Sequence, residues 1–263
     1  MNEPQRHKEH KGGLGMAIIC RKYGLLYLMA PRTGCTAVEE ALEKELGGEL
    51  VPPQDILDTH GNFRMHRRHH SLRAMFKHQL LTEEEATSWL KFSCIRNPYD
   101  SLASDYVKRA TKYQHFIADN SSWVHRLPSY VEDMAFCKTH SFDEWIVKHY
   151  GSIYGNRWQR SLEGVLRHSK RNRLKQALGL RTKPYLMYGD YTTDMDMVMR
   201  FENLQADFDQ VLEKAGVPFK VTIPMVNKTE ERKADYREYY TERSRKIVQY
   251  VFREELERYD YSF

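Results

Sequence analysis

The hydrophobic pattern opens with two short apolar runs, residues 16–20 and 25–30, separated by the polar stretch 21–24. Uninterrupted runs of this length read as strands, the second buried on both faces. From Thr36 the period lengthens. Val38, Ala41, Leu42 and Leu46 share one helical face, and Gly47-Gly48 supplies a stop. The same succession returns downstream. Residues 92–95 read as the next buried strand, and Asn97, Pro98 and Asp100 then offer a cap, a first-turn proline and a favourable charge. Tyr99, Leu102, Ala103, Tyr106, Val107 and Ala110 make an apolar stripe, with Asn97, Ser101, Ser104 and Lys108 on another face.

Elsewhere the pattern predicts a helix within 71–80, a short helix over 83–89 opened by a Thr82–Glu85 capping box, and another box at Ser141 and Glu144. Strands are expected at 185–188 and 197–201, and a helix over 204–215 ended by Gly216 and Pro218. Tyr236, Tyr240, Ile247, Val251 and Phe252 predict one or two closing helices. Residues 52–70 look irregular. Residues 111–140 carry few periodic signals, and 111–185 reads as a substrate-facing insertion. Residues 1–15 are expected to be a flexible tail and 16–263 a single domain. Strands alternating with helices predict an α/β fold, with a central, mainly parallel sheet flanked by helices.

Composition narrows this only slightly. A chain of 263 residues with 41% hydrophobic content can bury one large core. The net charge of +5 suits an anionic ligand but is too small to imply nucleic acid. The cysteines, Cys20, Cys35, Cys94 and Cys137, are far apart and contain no C-x-x-C, which argues against a zinc ribbon or a disulfide scaffold. No segment reaches the ~20 apolar residues of a membrane span. A soluble, cytoplasmic protein is the expectation; oligomeric state is open.

The chemistry concentrates where the two apolar runs end. Pro31-Arg32-Thr33-Gly34-Cys35-Thr36 joins a strand to a helix. Gly34 permits a tight turn and close approach to a ligand. Thr33 and Thr36 offer hydroxyls, Arg32 a permanent charge, and the N–H groups from Gly34 to Ala37 would be open at the helix start. The loop is not a Walker A motif. The second corner, Arg96-Asn97-Pro98-Tyr99-Asp100 with Ser104 and Tyr106, repeats the device. The bland alternatives are a plain strand-to-helix turn and a capped helix whose arginine meets a surface acid.

Together the corners resemble the phosphosulfate-binding loop and the 3′-phosphate-binding motif of sulfotransferases, closest to the carbohydrate-type, family-2-like members. The first is similar to P-K-T-G-C-T, with Arg32 where lysine is usual. The second is similar to R-N/D-P-aromatic-D/E-R-x-x-S, with Ser101 at the second arginine. The resemblance implies a P-loop-like fold and 3′-phosphoadenosine 5′-phosphosulfate as sulfuryl donor, with no metal. It assigns Arg32, Thr33, Gly34, Cys35 and Thr36 to the phosphosulfate, Arg32 also stabilising the leaving group, and Arg96 and Ser104 to the 3′-phosphate. Arg68-His69-His70-Ser71-Leu72-Arg73 resembles the family's K-H-x-S/T-L-R segment, which makes His69 the general base and His70 the neighbouring alternative. The other readings of His60, His66, His69, His70 and His78 are a solvated loop or a metal site lacking acidic or cysteine partners.

The similarity continues through Phe201-Glu202-Asn203-Leu204, Asp207-Phe208 and Asn227-Lys228-Thr229, where Lys228 and Thr229 are candidate cofactor contacts and Glu202 and Asn203 are read as structural. The basic residues from Arg167 to Lys183 read as a solvated face or an anionic-acceptor rim. The implied acceptor is a hydroxyl on a glycan or small metabolite. Competing readings are an ATP-dependent phosphotransferase, disfavoured by the missing Walker lysine, and a non-catalytic nucleotide or polyanion binder.

Overall fold

The computed structural model describes residues 17–54, 56–57, 59, 63–65, 71–127, 129–155, 186–226 and 232–263. In chain order the strands are β1 (Ala17–Cys20), β2 (Leu25–Leu28), β3 (Glu49–Val51), β4 (Ile56–Leu57), β5 (Phe63–Met65), β6 (Leu90–Ile95) and β7 (Met197–Arg200). The principal helices are α1 (Cys35–Leu46), α2 (Leu72–Lys77), α3 (Glu83–Ser88), α4 (Pro98–Ala110), α5 (Tyr130–Thr139), α6 (Phe142–Gly155), α7 (Leu204–Lys214), α8 (Glu242–Val251) and α9 (Arg253–Arg258). They gather into two compact units. One comprises Met1–Ile95 and Asp190–Val226, the other Arg96–Gly189 and Asn227–Phe263.

The first unit is built on a five-stranded sheet in the order β3-β1-β2-β6-β7. β2, β6 and β7 run parallel, and β1 is antiparallel to both β2 and β3. The α/β class and the parallel majority are as expected; the antiparallel pair at one side is what period alone could not indicate. Both faces are covered, which explains the continuous apolar runs of β1 and β2. Ile18, Cys20, Leu25 and Tyr27 pack with Val38 and Leu42 of α1 and with Phe208 and Val211 of α7. Their alternates, Ala17, Ile19, Leu26 and Leu28, pack with Leu72, Met75 and Ala86 from α2 and α3. Leu25 lies opposite Leu90, and Leu28 opposite Ser93. The carboxyl ends of β2 and β6 are therefore neighbours on one edge of the sheet.

In the second unit the apolar stripe of α4 is buried as its spacing predicts. Tyr99, Leu102 and Ala103 join Trp145 and Ile146 of α6 and Ile247, Val248 and Val251 of α8. α5 forms where few periodic signals were expected. Its buried side carries Asp133 beside Met134 and Cys137, so a charge interrupts the apolar stripe. The Asp133 carboxylate accepts hydrogen bonds from Arg109 at 2.9 Å, Trp145 Nε1 at 3.1 Å, Lys148 at 3.2 Å and His149 at 2.6 Å. Burial alone would raise its pKa; these partners overcome that and hold the carboxyl well below the ordinary range.

The strand expected at 185–188 is not formed over its described part, Leu186–Tyr188. The N–H groups of Met187 and Tyr188 instead donate to the Glu255 carboxylate, at 2.7 and 2.9 Å. Among the described residues no helix is long and apolar enough to cross a membrane.

Candidate active site

The first corner follows β2 directly. Arg32 adopts φ 67° and Gly34 φ 75°, so two residues of a tight turn occupy the left-handed region. Only glycine does so without strain. Gly34 is doubly constrained, because a Cβ there would stand 3.1 Å from Leu204 and 3.2 Å from Phe201. The Thr33 side chain is fully buried, and its hydroxyl donates to the Ala30 carbonyl at 2.8 Å. Thr33 thus braces the loop from inside. α1 begins with no capping side chain among the described residues and no acid in its first turn. That leaves its positive end suited to an anion. The expectation of open N–H groups from Gly34 to Ala37 needs one correction. The Ala37 N–H turns back to the Gly34 carbonyl at 2.9 Å, closing the first helical turn. Cys35 is buried, while Arg32 and Thr36 are partly exposed.

The second corner is made by side chains. Asn97 caps α4 by accepting from the Tyr99 N–H at 3.1 Å, and Pro98 takes the first position. The Asn97 amide also donates to the Ser262 carbonyl at 2.8 Å, tying the end of the chain to the mouth of α4. Arg96, 5% exposed, directs Nε and a terminal nitrogen at the Asp100 carboxylate, both at 2.6 Å. The other Asp100 oxygen pairs with Arg232. Ser104, also buried, lies one turn beyond Asp100 on the same helix. Ser101 accepts a hydrogen bond from the Tyr188 hydroxyl at 2.8 Å. Where the family pattern has a second arginine, this chain has a packing contact.

Arg232 was not foreseen, since nothing in the local sequence marks it. In the sequence Asp100 shows only as a favourable helix-start charge. Its part as a shared counter-ion depends on a residue 132 positions away. Asp207, noted only within a motif, fastens the end of β7 by accepting from the Arg200 N–H at 2.7 Å and from Asn203 at 2.7 Å. That agrees with the structural reading of Asn203. His60, His66, His69, His70, Lys228, Thr229 and the basic stretch from Arg167 to Lys183 lie outside the described residues. Among the described residues no group of three or more His, Cys, Asp or Glu is arranged to hold a metal.

The neighbouring parallel strands β2 and β6 of this α/β sheet each lead into a strand-to-helix turn that carries an arginine. The chain matches the family-2 sulfotransferase model, described as Sulfotransferase family, over residues 16–262, and it belongs to that family. No curated protein and no solved structure matches it significantly.

Proposed function

We propose that the protein transfers a sulfuryl group from 3′-phosphoadenosine 5′-phosphosulfate to an acceptor hydroxyl, with residues 16–263 acting as one catalytic domain. Family membership supports sulfotransfer as the class of activity. The observation that carries the donor assignment is the pair of arginine-bearing corners that follow the adjacent parallel strands β2 and β6.

In this reading the first corner receives the 5′-phosphosulfate. The uncapped start of α1, the close backbone approach at Gly34, and the side chains of Arg32 and Thr36 suit a multiply charged group. Cys35 contributes backbone rather than its buried side chain. Arg96 and the Ser104 hydroxyl hold the 3′-phosphate, a guanidinium and a hydroxyl being matched donors for its oxygens. Lys228 and Thr229 add cofactor contacts. His69, or its neighbour His70, removes the acceptor proton as the acceptor oxygen attacks sulfur in line. A new S–O bond forms, the S–O bond to the 5′-phosphate breaks, and adenosine 3′,5′-bisphosphate departs with its charge stabilised by Arg32. None of these steps calls for a metal. The acceptor class is a glycan or a hydroxylated small molecule.

The test is a transfer assay with sulfur-labelled donor against a panel of hydroxylated acceptors. Labelled product from the wild-type chain, lost in His69→Ala while bisphosphate affinity is retained, is the expected result. ATP-driven, Mg²⁺-dependent phosphorylation without sulfate transfer would replace the reading with a phosphotransferase. A second reading, a non-catalytic nucleotide or polyanion binder, draws on Arg32 in place of the usual lysine. It predicts bisphosphate binding with neither donor hydrolysis nor transfer.

A further inference from the structure

The sheet of the first unit ends in β7, which pairs with β6 on one side. Among the described residues no strand pairs with its other side. An edge strand leaves alternate N–H and C=O groups unpaired, and natural edges are guarded by lysine, proline or a bulge. Met197-Val198-Met199-Arg200 carries no lysine or proline, and its register with β6 is unbroken. The guard that is present stands at the end of the strand, where the Arg200 N–H donates to Asp207 at 2.7 Å. A groove of about 380 Å³ opens against the strand, lined by all its residues and by Asn203, Asp207 and Gln210. The sequence of the edge is complementary to itself. In an antiparallel pairing about a two-fold axis at Val198, residue 196 of one copy lies opposite residue 200 of the other, and 197 opposite 199. Asp196 and Arg200, both exposed, then meet as opposite charges on each side of the axis. Asp196 meets Lys91 through Oδ2, at 2.7 Å to the backbone N–H and 2.9 Å to Nζ, which leaves Oδ1 for a second cation. A guanidinium has five N–H donors, so a contact of Arg200 within its own chain does not exhaust it. Met197 and Met199 pack on the core of the sheet, and in this register each continues that apolar layer beside its counterpart.

We propose that the outer edge of β7 is the contact of a two-fold homodimer, in which the sheets of two copies of this chain join edge to edge into one. A second copy is the partner that fits, because it supplies in one register both an acid for Arg200 and a cation for Asp196. The inference stands apart from the reading of the nucleotide site and calls for no ligand.

The experiment is sedimentation velocity of the full chain over a series of concentrations, without nucleotide. The wild type is expected to pass from monomer to dimer as concentration rises. Val198→Lys sets two like charges against each other on the axis, and Val198→Glu does the same with the opposite sign. Each is expected to weaken self-association about 10–100-fold. An equimolar mixture of the two variants is expected to restore the dimer, because lysine then faces glutamate. Damage to the fold is not repaired by mixing, and thermal melting of each variant alone checks for it. Arg200→Glu brings two acids together and is expected to weaken the dimer at least about threefold. A wild-type chain that stays monomeric at every concentration overturns the proposal. So does a dimer that all three substitutions leave as tight as before, which places the contact elsewhere. Val198 variants that each weaken the dimer and do not recover on mixing overturn it too. If neither Val198 variant folds, Arg200→Glu decides: a weakened dimer supports the edge contact and an unweakened one overturns it.

Discussion

The two strand-to-helix corners look alike in sequence yet work by different physics. At the first, the helix α1 starts from Gly34 with no side-chain cap and no first-turn acid, and the turn itself is strained at Arg32. In the proposed function its contribution to the ligand is mainly backbone. At the second, α4 is capped by Asn97, led by Pro98, and carries Asp100 in its first turn. Its equipment is a set of long side chains arranged around a carboxylate. A backbone cradle suits the reacting phosphosulfate, where geometry must be held tightly. A side-chain clamp suits a remote phosphate that serves to identify and position the nucleotide. The contrast teaches that a helix start becomes a site as much by what it omits as by what it contains.

The sharpest way to break the contrast is at Arg32. Arg32→Gly removes the charge from the reacting group but relieves a left-handed non-glycine residue. Loss of one transition-state donor predicts a fall in transfer rate of about 10²–10³. The released strain predicts a gain of about 1 kcal/mol in stability, read by denaturant unfolding. Slower transfer with lowered stability would show that Arg32 is a structural residue. Gly34→Ala attacks the same corner from the other side. The left-handed backbone and the 3.1 Å approach to Leu204 together predict a loss of about 2–3 kcal/mol. An unchanged melting temperature would mean that the turn tolerates a side chain and is not a close cradle.

The second corner should respond to pH through its buttress. Glu255 supports Met187 and Tyr188, and the Tyr188 hydroxyl reaches Ser101 in α4. Burial pushes the Glu255 carboxyl up to about 6, against the pull of those two N–H groups and Arg258. A pKa raised on folding means that the native state holds the proton longer than the unfolded chain. Stability from this group is therefore complete below about pH 4.5 and is lost as pH rises through about 6, by about 2 kcal/mol in all. Glu255→Gln should flatten that slope in pH-dependent unfolding, and a slope that persists would assign it to another group. Asp133 works in the opposite sense. Its lowered pKa contributes stability that is present above the ordinary carboxylate range and disappears on acidification. The smallest effect is expected at Asn97→Ala, about 1–2 kcal/mol from the lost cap and the lost tie to Ser262. No change would mean that the corner is held by packing alone.

Much of this was legible in the order of residues, for local reasons. The apolar runs before Arg32 and Arg96, the glycine at the first turn, and the Asn97-Pro98 cap all act over a few positions, and each formed as expected. So did the Thr82–Glu85 box, with both reciprocal hydrogen bonds made. What escaped depends on partners far along the chain. The apolar stretch ending at Tyr188 reads as a strand until Glu255 claims its N–H groups. α5 is masked by Asp133, whose buried charge makes sense only with Arg109, Trp145 and His149 around it. The direction of β1 is invisible to a period of two, and Arg232 has no meaning until Asp100 is beside it.

Direct titration of the wild-type chain with adenosine 3′,5′-bisphosphate and with AMP tests the proposed binding of a 3′-phosphate by Arg96 most simply. The expected result is bisphosphate affinity on the order of micromolar, at least about tenfold tighter than AMP, with the difference abolished in Arg96→Ala. Equal affinity for the two nucleotides in the wild-type protein would contradict it.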